Sequence, residues 1–158
     1  MKKRFIPFLL LSLTLGGLGV APLVVYAQAQ TETSTPMATV GGPLAKELQG
    51  KPAIVDIYAS WCPACKAIAP TLSDLRMQYK NKVNFVVLDV TDRSSTQRAE
   101  ANARRMGLTN FLKNNKASTG TVAIIDPATG EILNQFRGND KKDDYIAAIN
   151  AVATRIKK

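Results

Sequence analysis

Cys62 and Cys65 are the only thiols in the chain, and they stand three residues apart within Trp61-Cys62-Pro63-Ala64-Cys65-Lys66. At that spacing two sulfurs can close a small disulfide or act in turn. One thiolate attacks a partner disulfide, and the second thiol then displaces the partner from the mixed disulfide. Two other readings use the same residues. The pair can be a structural staple or inert thiols, although a disulfide closing so short a loop constrains the unfolded chain little. The thiolates can also act as two soft ligands for copper delivery or assembly.

The rest of the composition narrows the chemistry. The chain contains no His, which removes the commonest general base, the Cys–His and Ser–His nucleophile pairs, and imidazole metal ligands. Two sulfurs without imidazole cannot build a four-ligand structural zinc site from sulfur and nitrogen, so no metal site and no separate cofactor is expected. At 158 residues, with 46% hydrophobic and 21% charged residues, the chain suits one domain with a core of its own. Setting aside Lys2, Lys3 and Arg4, which belong to a terminal segment, lowers the net charge from +9 to +6. The remaining basic residues are scattered and form no stripe interleaved with aromatics, so no nucleic-acid partner is expected.

The elements that must hold the pair can be read from spacing. Ala53 to Tyr58 (AIVDIY) is an apolar, centrally β-branched run of strand length and reads as a buried strand. Ile68, Leu72, Leu75 and Tyr79 recur at helical spacing just after the cysteines. Pro63 suits the first helical position, where its missing N–H is no loss. Cys62 thus falls at or beside the N-cap, where free backbone N–H groups and the positive end of the helix favour a thiolate. Cys65 lies one turn further in, and Lys66 adds local positive charge.

Further along, Pro43 to Leu48 suits a short helix and Val83 to Val90 a second strand. Ser94 or Ser95 is the expected cap of an Ala- and Arg-rich helix that runs to Met106 and stops at Gly107. Thr109 to Asn115 fits a helical turn or a loop equally well. Thr121 to Ile125 and Ile132 to Phe136 flank a Pro- and Gly-containing turn and form a hairpin. Asn139 or Asp140 can cap a final helix whose apolar face is Tyr145, Ile149, Val152 and Ile156. This order specifies an α/β fold with a mixed central sheet flanked by helices, and an active site at the start of the helix that follows a buried strand.

Asp56 is anomalous in this scheme. A carboxylate in the middle of a buried strand costs several kcal/mol unless it is paired or protonated. A raised pKa would let it take and return the Cys65 proton during exchange. The alternative places Asp56 in solvent at a sheet end.

At the N-terminus a basic head (Met1 to Arg4) precedes an uncharged apolar stretch, Phe5 to Val25. Tyr26-Ala27-Gln28-Ala29 follows as a small-residue exit. The pattern reads as a signal peptide over residues 1–29, cleaved after Ala29, or as an uncleaved membrane tether through residues 5–25. Both place the domain outside the cytoplasm, in a periplasm or thylakoid lumen. Residues 30–42 read as a flexible linker and 43–158 as the domain.

The stretch Val55-Asp56-Ile57-Tyr58-Ala59-Ser60-Trp61-Cys62-Pro63-Ala64-Cys65-Lys66 resembles the signature of the thioredoxin superfamily in order and spacing. Asp56 falls at that family's buried acid, and Pro70 at the proline that kinks its active-site helix. The resemblance weakens from Gly50 toward the C-terminus and includes Gly138. It implies a thioredoxin-like fold, Cys62 as attacking thiol, Trp61 as a shield over the disulfide, and the Cys62–Cys65 disulfide as the redox centre. It further implies exported protein partners with thiols or disulfides, and a membrane or soluble thiol electron donor. Exported relatives serve disulfide reduction, cytochrome maturation or oxidative folding. The chain departs from the family in three places. The dipeptide between the cysteines is Pro63-Ala64, and Leu108 to Ser118 is longer than the family's short link. Gly120, preceded by Thr119, stands where the family places a cis-proline facing the disulfide. Pro63 and Ala64 offer the Cys62 thiolate no side-chain hydrogen bond, so the expected poise is reducing to intermediate, with a disulfide-forming oxidant as the alternative.

Overall fold

The computed structural model describes residues 38–157. The signal or tether segment and most of the spacer lie outside the described residues. No helix among those described is long and apolar enough to cross a membrane.

Four strands form one mixed sheet in the order β2-β1-β3-β4, with β1 Ala53–Tyr58, β2 Asn84–Asp89, β3 Thr121–Asp126 and β4 Glu131–Arg137. β1 runs parallel to β2 and antiparallel to β3, with Asp56 opposite Val87 on one side and Val122 on the other. Helices α1 (Pro63–Gln78) and α4 (Lys142–Ile156) pack on one face; α2 (Arg93–Met106) and α3 (Thr109–Asn115) pack on the other. The two-residue period of a strand sorts the core accordingly. Ala53, Val55 and Ile57 join Leu88, Ala99, Phe111 and Leu112, whereas Ile54 joins Ile68, Leu75, Tyr145 and Ile149. Fully burying each large apolar side chain contributes about 1.5–3 kcal/mol. The same alternation turns Asp56 toward α1, the helix that carries both cysteines.

Several local expectations change. The cap of α2 is Asp92, whose carboxylate accepts the Ser95 N–H at 2.7 Å. Ser94 and Ser95 therefore lie inside the first turn. Gly107 ends this helix in the left-handed region, at φ 78°. For α4 the cap position is Lys141, without a side-chain cap bond. Asn139 instead accepts the Lys141 N–H at 3.0 Å and donates to Asp144. The first helical stretch shrinks to a 3-10 turn at Lys46–Leu48. Thr109–Asn115 is helical because Leu108, Phe111 and Leu112 are buried; seven residues hold no helix unaided.

The end of the expected linker is part of the packed structure. The Val40 N–H donates to the Gly130 carbonyl at 2.9 Å and the Ile132 N–H to the Ala38 carbonyl at 2.7 Å. Val40 itself is buried. Residues 38–40 thereby cover part of the β4 edge, which is otherwise open to adventitious pairing. Gly130, at φ 74°, has the Gly42 carbonyl against the place a Cβ would take. Gly130→Ala should lower stability by about 1–3 kcal/mol, read as a lower urea midpoint.

Candidate functional site

β1 ends at Tyr58, and α1 begins five residues later, at Pro63. The Cys62 N–H donates to the Ala59 carbonyl at 3.1 Å, a tight turn that swings the chain from the sheet into the helix. Cys62 occupies the N-cap with Pro63 at the first helical position, and its Sγ accepts the Cys65 N–H at 3.1 Å. Sulfur thus does what a Ser or Asp oxygen does at an ordinary cap. The charge it would carry on ionisation sits at the positive end of a sixteen-residue helix.

Both cysteines are reduced and 2% exposed. Their electrostatics diverge. Burial disfavours the Cys62 thiolate, but hydrogen bonds from the Cys65 thiol, the Thr119 side chain and the Cys65 and Ala64 N–H groups outweigh it. The Cys62 pKa falls below the ordinary thiol value. Burial, the Cys62 sulfur and the Asp56 charge push Cys65 up to about 11, against a smaller lowering by the Ala59 backbone. One thiol is therefore primed to ionise and its neighbour is held protonated.

Asp56 lies behind Cys65 at the floor of a cleft of about 250 Å³. It is 8% exposed, and its Oδ1 finds no hydrogen-bond partner among the described residues. Burial raises its pKa from 3.8 to about 6, while the nearby Arg76 guanidinium pulls it down. The solvent-facing alternative for Asp56 is thus excluded.

Gly120 also sits at the site. Its N–H donates to the Ile57 carbonyl at 2.8 Å, and its carbonyl accepts the Gly138 N–H at 3.0 Å. At φ 80°, a Cβ on Gly120 would come 2.9 Å from the Ala64 Cβ. A proline, confined to φ near −65°, cannot take that conformation. No cis peptide bond occurs among the described residues, so the loop meets the dithiol in a different backbone conformation from the one the resemblance implies. Thr119 is buried beside it, and its side chain helps to lower the Cys62 pKa.

Trp61 is 59% exposed, and its indole donates to the Thr91 carbonyl at 3.0 Å. The residues packed on the cysteines are Ala59, Tyr58, Ala64 and Val90. Pro63 and Lys66 are solvent-facing. Pro70, inside α1, removes the N–H that would have bonded to the Lys66 carbonyl. Two contributors escaped the sequence reading. Thr91 accepts the Ser60 N–H at 2.9 Å and is itself tied to Asp89, so the end of β2 pins the Trp61 loop. Nothing in the sequence marks that long-range bond. Arg76 was legible in principle, because Cys65, Ala69, Leu72 and Arg76 follow helical spacing along one stripe of α1. Among the described residues, no group of three or more Cys, Asp or Glu side chains gathers as metal ligands do.

Two consequences can be measured. Thr119→Val should raise the Cys62 pKa, seen as a rightward shift of the thiolate absorbance titration. Asp56 follows from linkage: a carboxyl whose folded pKa exceeds its unfolded one favours the fold below about pH 4 and loses that contribution as pH rises through 6. At about 1.4 kcal/mol per pH unit this approaches 3 kcal/mol at pH 8. Asp56→Asn should therefore be more stable than the parent at pH 8, by about 1–3 kcal/mol, with the difference gone by pH 4 in denaturant unfolding.

Comparison with known proteins places this geometry. Residues 43–129 match the protein-family model described as Thioredoxin. The chain is 51% identical over 41 residues to the "Thioredoxin-like protein HCF164, chloroplastic" of Arabidopsis thaliana, covering 26% of this chain and 16% of that protein. It is 36% identical over 66 residues to the "Thiol:disulfide interchange protein TxlA homolog" of Synechocystis, covering 42% of this chain and 33% of that one. The chain thus spans a third or less of the length of these two relatives. Among solved structures, a thioredoxin-family thiol:disulfide interchange protein from Chlorobium tepidum superposes with a TM-score of 0.52 at 18% identity, covering 75% of this chain and 99% of that one. At that identity the likeness supports the fold alone.

Proposed function

Because the chain belongs to the thioredoxin family, we propose that it is a thiol–disulfide oxidoreductase that reduces disulfides in exported proteins. The observation that carries this reading is the Cys62 sulfur at the start of α1, accepting the Cys65 N–H, with Asp56 buried behind the second thiol.

In the first step the Cys62 thiolate attacks one sulfur of a partner disulfide. A Cys62–partner bond forms, the partner S–S bond breaks, and the second partner sulfur leaves as a thiolate that takes a proton from water. Forming the mixed disulfide cancels the charge on Cys62. That removes two of the influences that hold the Cys65 pKa up, namely its hydrogen bond to Cys62 and the repulsion from it. Asp56, ionised at neutral pH, then accepts the Cys65 proton through water in the cleft. The Cys65 thiolate attacks Cys62 Sγ, the Cys62–partner bond breaks, and the partner leaves as a thiolate that takes up the proton held by Asp56. Two electrons pass to the partner, and the protein is left with the Cys62–Cys65 disulfide, which a membrane or soluble thiol donor returns to the dithiol.

What stabilises Cys62 supports the reductive direction. Its donors are N–H groups, a thiol and the Thr119 side chain, with no imidazolium or other cation among them, so the thiolate is favoured only moderately over the disulfide. The exported location rests on the basic, apolar and small-residue succession over residues 1–29, and on the chloroplastic and disulfide-interchange names of the relatives. The partner meets the site at the exposed Trp61, with Thr119 and Gly120 buried beside the dithiol. The redox centre is the cysteine pair itself, without a separate cofactor.

Insulin reduction should fall to background in Cys62→Ser, whereas Cys65→Ser should accumulate a mixed disulfide with the partner. Full activity in Cys62→Ser would overturn the mechanism. Equilibration with glutathione should give a potential between about −270 and −180 mV. A value near −120 mV would reverse the proposed direction.

A further inference from the structure

Arg76 stands on the α1 stripe that begins at Cys65 and borders the same cleft as Asp56 and Cys65. Its guanidinium carbon lies 5.4 Å from the centre of the Phe85 ring on β2, a cation–π arrangement that holds the charge in place. Arg76 enters neither of the ion pairs found among the described residues, Lys142–Asp74 and Arg155–Glu131. A carboxylate within 4 Å therefore does not neutralise it.

We propose that Arg76 is a positioning residue of the exchange reaction: seated on Phe85 at the cleft, its guanidinium keeps Asp56 ionised and ready to take the Cys65 proton. The inference rests on the reading of Asp56 as proton relay. The groups that face Asp56 leave the task to Arg76. From β1 comes Tyr58, from α1 Cys65 and Arg76, and from α4 Tyr145, whose pKa burial and neighbouring carboxylates push up to about 12. Its partners in β2 and β3 are Val87 and Val122. With Tyr145 and Cys65 held protonated at physiological pH, Arg76 is the cation among the described residues that bears on the Asp56 carboxyl. It lowers the Asp56 pKa against the effect of burial. Without it, a larger fraction of Asp56 would enter the resolving step already protonated and unable to accept.

The test uses the full chain and follows two quantities against pH: the NMR titration of the Asp56 carboxyl carbon, and the rate at which Cys65 resolves a preformed Cys62 mixed disulfide. In Arg76→Gln both midpoints should rise by about 0.5 pH unit, and Arg76→Lys should restore most of the difference. Phe85→Leu, which keeps the guanidinium but removes its seat, should shift both in the same direction by less. The unfolding midpoint of Arg76→Gln should stay near the parental value at pH 4, where folded Asp56 is protonated and the exposed side chain adds little, and fall slightly at pH 8 as the linkage requires. An unmoved Asp56 titration in Arg76→Gln would overturn the proposal. So would a moved titration with an unchanged resolution profile. If Asp56→Asn resolves the mixed disulfide with the parental pH profile, the relay reading itself fails and the role of Arg76 fails with it.

Discussion

The bond from the Cys65 N–H to the Cys62 sulfur, 3.1 Å long at the first turn of α1, governs the site's chemistry. A helix leaves its first N–H groups unpaired, and here a sulfur at the cap position satisfies one of them. An anion at that position gains from the hydrogen bond and from the helix dipole together. A thiol gains less, so the local geometry itself separates two chemically identical side chains. The helix start must also be held in place. The turn from Ala59 to Cys62, the Thr91 hydroxyl under Ser60, and the packing of Ile68 and Leu75 on β1 and β3 fix it to the sheet.

Asp56 is the counterpart on the sheet. It lies on the face of β1 that carries the Ile54, Ile68 and Tyr145 cluster, where apolar side chains are the stable choice. Its unpartnered Oδ1 costs stability above its pKa. The fold tolerates this because Ile54, Leu72, Leu75 and Tyr145 bury enough apolar surface around it. A group poised near pH 6 between a dithiol and a cleft can change protonation during turnover, which an aliphatic residue there cannot do. The glycines opposite act by shape. Gly120 and Gly138 bring backbone close to Ala64, so the wall beside the dithiol is main chain.

Much of this was legible in the sequence, for physical reasons that differ by element. β1 and α1 were readable because burial imposes an unbroken apolar run on one and a 3.6-residue stripe on the other. Both constraints are local in sequence. Asp56 stood out because it violates the first pattern. The Asp92 cap, the short helix at Thr109–Asn115 and the docking of residues 38–40 on β4 were not readable. Each depends on partners distant in sequence or on a choice among adjacent capping residues. Gly120 was recognised as a departure, but only the fold shows that its positive φ and the Ala64 Cβ exclude a side chain there. Thr91 and Arg76 act across elements, from β2 to the active-site loop and from α1 to β1, and the register that brings them together is a property of the folded sheet.

The central claim is that the start of α1 lowers the pKa of Cys62, and of Cys62 alone, below the ordinary thiol value. Its most direct test is the rate of iodoacetamide alkylation of the reduced protein as a function of pH, with the modified cysteine identified by peptide mass. The account predicts a single midpoint below the ordinary thiol value of about 8.5, with all early label on Cys62 and none on Cys65. A midpoint at or above that value, or label shared equally between the two cysteines, would contradict it.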